Sequence, residues 1–188
     1  MKPPTPTRRA ALLAVAVAGL PAWGSEAAAD DFVRALRQGG VAILLRHATT
    51  TPGVGDPPEF RLEQCSTQRN LSPEGRLQAK NVGAWFKREK LKPSAVKTSA
   101  WCRCKDTATL AFGTHQVWSP LNSTFGDRLP QPDQVQAIQA ALANIPAGRF
   151  EVWVSHGVNA RALTGEQPAM GEAFLMGADG KLFLRKAF

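Results

Sequence analysis

From Val41 to Leu45 five apolar residues follow one another, bounded by Gly39-Gly40 on one side and Arg46-His47 on the other. A short apolar run without polar alternation predicts a strand covered on both faces. Val96–Ser99 and Glu151–Ser155 read the same way, and Gln116–Trp118 as a shorter strand. Between these runs the spacing becomes helical. Ser72-Pro73-Glu74 combines an N-cap residue with proline at the first helical position, and Leu77, Val82, Trp85 and Phe86 supply an apolar face to about Lys90. Further helices are predicted over Trp101–Phe112, stopped by Gly113, over Asp133–Ile145, and over Val158–Leu163, stopped by Gly165. Asp30-Asp31 is expected to cap a short helix through Arg37. Glu172–Met176 and Lys181–Arg185 read as a closing hairpin across Asp179-Gly180. Ala48–Asn70 has no periodicity, and a loop of that length is usually functional or mobile. Strands alternating with helices predict an α/β sandwich.

Composition narrows the class. The chain has 188 residues, of which 44% are hydrophobic and 20% charged, which suits one globular domain and excludes a disordered or collagen-like chain. Residues 1–29 read as a cleavable export signal, with Lys2, Arg8 and Arg9 ahead of an uncharged stretch from Ala10 to Leu20. That stretch is far shorter than the roughly 20 residues a bilayer span needs. Cleavage fits either Ala27-Ala28-Ala29 or Ala22-Trp23-Gly24, and Thr7-Arg8-Arg9 fits a twin-arginine route as well as the general secretory one. The expected mature domain is therefore 30–188, periplasmic or secreted, with no stable membrane insertion. The net charge of +8 falls only to +6 without the leader, so the domain itself favours an anionic partner. The absence of tyrosine excludes a phenol from the chemistry.

With three histidines and three cysteines, every site built from them can be enumerated. His47 and His156 each directly follow a predicted strand, and Arg103 lies in the first turn after a third. Ligands of open α/β sheets collect at the carboxyl ends of strands. Arg46, His47, Arg103 and His156 are therefore expected to converge, and two guanidinium forks around two imidazoles suit a tetrahedral dianion. Asp106, three residues after Arg103, is the expected orienter of its guanidinium, whereas Thr107 is expected to pack or to bond back along its helix. His115 has no arginine beside it and reads as structural or exposed.

These blocks resemble the histidine phosphatase superfamily, in particular its phosphoglycerate mutase-like branch. Leu45-Arg46-His47-Ala48-Thr49 is similar to the family's Arg-His signature, Thr98-Ser99 with Arg103 and Thr107-Ala108 to its second block, and Ser155-His156-Gly157 to its third. Leu71-Ser72-Pro73-Glu74-Gly75 resembles the helix start after the first loop. Together the blocks cover most of Val41 to Gly165. The resemblance implies a three-layer α/β/α sandwich with a mostly parallel central sheet. It also implies a phosphatase without a cofactor, in which His47 takes the phosphoryl group as a phosphohistidine while Arg46, Arg103 and His156 bind phosphate.

A general acid is the one part without a motif. Asp127 is chosen because mutase-like members place theirs between the second and third blocks, with Glu172 and the loop residues Asp56, Glu59 and Glu63 as alternatives. In an oxidising compartment Cys65 can pair with Cys102 or with Cys104, since Cys102 and Cys104 are too close on one helix to bridge easily. Cys65–Cys102 is the preferred pair, and it would tie the long loop to the helix of Arg103. The expected substrate is a phosphorylated small molecule or an envelope glycan or lipid phosphate. The rival reading is a non-catalytic phosphate- or phosphoglycan-binding module of the cell envelope. Nucleic acid is not an expected partner, because the basic residues are dispersed and no aromatic-basic recognition motif accompanies them.

Overall fold

The computed structural model describes Met1 and residues 23–53, 55–124 and 131–188. Strands β1 (Val41–Arg46), β2 (Ala95–Thr98), β3 (Gln116–Val117), β4 (Phe150–Ser155), β5 (Ala173–Gly177) and β6 (Leu182–Lys186) form one sheet in the order β3-β2-β4-β1-β5-β6. β3, β2, β4 and β1 pair in parallel, β5 is antiparallel to β1, and β6 is antiparallel to β5. The sheet is thus mostly parallel, with β5 running against its neighbours.

Alternation along β1 explains the layers. Val41, Ile43 and Leu45 point into a core shared with Phe32 and Leu36 of α1 (Trp23–Gln38), Val82 and Phe86 of α2 (Pro73–Arg88), and Ala108 and Ala111 of α3 (Cys102–Phe112). Ala42 and Leu44 point the other way, against Ile138 and Leu142 of α4 (Pro132–Ala143) and Ala160 of α5 (Gly157–Thr164). Successive strand side chains alternate between faces. The continuous apolar run therefore reports a strand buried on both sides between two helical layers. Similar continuity in β4 and β5 completes the core.

The predicted elements form where expected, with ends shifted by one to three residues, except at the amino end. α1 begins at Trp23, so Asp30 and Asp31 lie inside it rather than capping it. The Ala27–Ala29 run has the highest intrinsic helix propensity and carries the helix through the predicted cap. Most of the expected export signal lies outside the described residues. Among the described residues no helix is long and apolar enough to cross a membrane.

α2 starts as its sequence indicates, with Ser72 Oγ accepting from the Gly75 N–H at 3.1 Å. Gly75 also permits a close approach, because a Cβ there would lie 1.8 Å from Thr49 O. That contact seats α2 directly on the chain leaving β1. α3 ends at Gly113 in the left-handed conformation, φ 79°.

Candidate active site

The sheet register sets the geometry. Arg46 pairs with Ser155 across the parallel β1–β4 ladder, so the next residues, His47 and His156, leave the sheet at one level. Their rings meet edge to face with centroids 5.4 Å apart. On the other side of β4, Ser99 N–H donates to Val154 O at 3.0 Å, and the chain turns into α3, whose first turn carries Arg103. The central neighbours β2, β4 and β1 thus bring Arg46, His47, Arg103 and His156 to one cleft of about 240 Å3.

His47 is 3% exposed. Its Nδ1 lies 2.9 Å from Ala48 O, an acceptor only, so Nδ1 carries the hydrogen and Nε2 keeps its lone pair. Burial first, and the Arg103 guanidinium second, hold its pKa down at about 3. The ring is therefore neutral at any physiological pH. The backbone on either side is fixed: His47 N–H donates to Ser155 O at 2.9 Å, and Ala48 N–H to Thr107 Oγ1 at 3.1 Å. Thr107 also bonds back to Arg103 O at 2.7 Å.

The arginines are anchored from behind. Arg46 Nη1 donates to Pro168 O at 2.8 Å, and Arg103 Nη1 donates to both carboxylate oxygens of Asp56, at 2.8 and 3.0 Å. Asp56, not Asp106, therefore orients Arg103. Asp106 instead pairs at 3.0 Å with Arg76 of α2, the helix packed beside α3, and does not line the cleft. Asp56 is fixed further by Trp101 Nε1 at 3.0 Å and by the Arg69 N–H at 2.9 Å. Burial acts against its ionisation, but the Arg69 N–H and the Arg103 charge outweigh it and hold the carboxyl below its ordinary range.

His156 Nε2 lies 2.8 Å from Ser99 Oγ, and its Nδ1 lies 3.5 Å from Arg103 Nη2. Arg103 can only donate, so Nδ1 is the acceptor and Nε2–H donates to Ser99. Ser99 Oγ in turn donates to Asn122 Oδ1 at 3.3 Å. Burial, then the neighbouring His47, Arg103 and Arg46, keep the His156 pKa far below its ordinary value.

Cys65 and Cys102 form a disulfide, and Cys104 is a free, buried thiol that burial pushes up to about 12. The bridge fastens the loop after β1 to the first residue of α3, next to Arg103 in sequence. His115 stands apart, 3.1 Å from Thr109 Oγ1.

The acid candidates separate. Asp127 lies outside the described residues. Glu59 and Glu63 are exposed, and Glu172 accepts from the Ala169 N–H at 2.7 Å without lining the cleft. Asp56 is the one carboxylate among the described residues that line it. Arg69 lines it too, and sequence reasoning missed it. It sits in a non-periodic loop, and no spacing singles it out from Arg61.

The profile of the histidine phosphatase superfamily (branch 1) matches residues 42–125. Phosphoglycerate mutase from Thermus thermophilus shares the fold at a TM-score of 0.56 and 17% identity, covering 79% of this chain and 99% of that one. The phosphohistidine phosphatase SixA from Agrobacterium tumefaciens does so at 0.53 and 16%, with the same coverages. A protein histidine phosphatase SixA complexed with tungstate gives 0.52 and 15%, covering 78% of this chain and 96% of that one. No curated protein matches the chain by sequence. The signature blocks, the profile match over residues 42–125 and the shared fold all point to the histidine phosphatase superfamily.

Proposed function

We propose that the protein is an exported, metal-independent phosphatase that hydrolyses a phosphomonoester through a phosphohistidine on His47. One observation carries this reading: a neutral imidazole, with its tautomer set by Ala48 O, presents Nε2 beside the guanidiniums of Arg46 and Arg103. Nε2 attacks phosphorus, a P–N bond forms, and the bond to the leaving oxygen breaks. Arg46 and Arg103 hold the peripheral oxygens, whose charge must be matched in a loose transition state, and His156 joins them once the bound dianion draws a proton onto its Nδ1. Water then attacks the phosphohistidine, releasing inorganic phosphate and restoring the ring. Asp127 remains the residue proposed to protonate the leaving oxygen. The tungstate, an oxyanion, held by a protein of the same fold agrees with a phosphate-sized site. Export is proposed from the leader-like first 29 residues, and an envelope glycan or lipid phosphate is the substrate class that location favours.

The test is hydrolysis of p-nitrophenyl phosphate by purified protein with EDTA present, beside His47→Ala. Activity that survives EDTA and disappears in the variant supports the proposal. Phosphate binding without turnover on any of a panel of monoesters would favour the binding-module reading instead.

A further inference from the structure

We propose that Arg69, delivered by the loop that follows β1, is a third guanidinium ligand of the substrate phosphoryl group and sets the site's preference for a dianion. This deepens the phosphatase reading and rests on it for the identity of the ligand.

Among the described residues three arginines line the cleft, and each is tied in the same manner. Arg46 Nη1 donates to Pro168 O, Arg103 Nη1 to Asp56, and Arg69 Nη1 to Gly53 O. In all three, Nε is buried without a partner among the described residues. Nε and Nη2 share one edge of a guanidinium, and that edge is the fork that meets two oxygens of an oxyanion. A buried N–H donor without an acceptor is costly, and its recurrence on three arginines around one cleft points to a common acceptor. Arg69 is also close enough to Arg46 and Arg103 to act on both electrostatically. Three like charges kept together in this way are expected where an anion compensates them.

The charge balance gives the same answer. Among the described lining residues the charged groups are Arg46, Arg69, Arg103 and Asp56, and both histidines are neutral. These described groups carry a net of two positive charges, which matches the charge of a terminal phosphoryl dianion. Without Arg69 the net would be one, suited to a diester. Position 69 is fixed from both directions. Its N–H bonds to Asp56, which grips Arg103, and the Cys65–Cys102 bridge pins the chain four residues earlier to α3.

The experiment is calorimetric titration of the oxidised protein at pH 8 with inorganic phosphate, a dianion there, and with dimethyl phosphate, a monoanion. Wild type, Arg69→Gln and Arg69→Lys are compared, with thermal midpoints confirming that each is folded. Arg69→Gln is expected to weaken phosphate binding about tenfold to a hundredfold, the loss typical of charge-assisted hydrogen bonds, and to narrow the preference over dimethyl phosphate. Arg69→Lys, which keeps the charge but loses the fork, should fall between. Unchanged phosphate affinity in folded Arg69→Gln overturns the proposal, as does a wild type with no affinity for phosphate. A wild type that binds phosphate through Arg69 but turns over no monoester sinks the phosphatase reading and leaves the assignment of Arg69 standing.

Discussion

Replacing both bridging cysteines, Cys65→Ser with Cys102→Ser, should loosen the fold and the anion site together. The bridge closes a loop over a separation of 37 residues. Loop-closure entropy for that length corresponds to about 4 kcal/mol at 25 °C, the upper end of what such bridges deliver. In a domain of this size 1 kcal/mol moves the thermal midpoint by roughly 2–4 °C, so a fall of about 8–15 °C is expected. The loss should not stop at stability. The closed segment carries Arg69, whose N–H holds Asp56, and Asp56 in turn grips Arg103 next to the other end of the bridge. Phosphate affinity should therefore fall in the variant even at temperatures where it is fully folded. Cys104 offers no substitute partner, since it is buried within α3 with its thiol held protonated. Urea titration of wild type and variant, with phosphate binding measured in the absence of denaturant, reads both effects. Equal urea midpoints with equal phosphate affinity would refute the reasoning. So would mass spectrometry of the oxidised protein showing three free thiols.

Two other outcomes follow from the site, and a third from the packing of α2. His47 binds a proton near pH 6.5 when unfolded and only at about 3 when folded, so the unfolded state holds more protons between those values. Stability is present above pH 6.5 and falls as the pH drops towards 3, by up to about 5 kcal/mol from this one group, which urea midpoints across that range would show. For the same reason the acid limb of kcat/KM should track the second ionisation of the substrate phosphate, near pH 6, and move when a substrate of different acidity is used; a limb that stays fixed across substrates would count against a neutral His47. Gly75→Ala places a methyl group 1.8 Å from Thr49 O, against backbone, and should cost more than about 2 kcal/mol in a denaturation experiment. A cost below half of that would mean that the seat of α2 can shift.

Much of this molecule is legible in its sequence because the physics that places it is local. Val41–Leu45 has to be buried on both faces, Ser72-Pro73 has to start a helix, and Gly113 has to end one. The convergence of His47, Arg103 and His156 follows because strand ends in a parallel sheet lie on one edge. What escaped is carried by the loop between β1 and α2. Asp56 and Arg69 reach the cleft through a fold of chain that has no period and is held by a disulfide and by backbone bonds between distant residues. Asp106 misled for a related reason. Its spacing from Arg103 on the helix was a local cue, and a residue 47 positions away made the contact instead.

The decisive measurement is chemical. Wild-type protein mixed with p-nitrophenyl phosphate and quenched in base, where a phosphoramidate survives, should carry one phosphoryl group on the peptide that contains His47. The label should disappear on chase with buffer and be absent from His47→Ala. Steady turnover with no phosphoryl group on His47 at any quench time, or with the label on another residue, would contradict it.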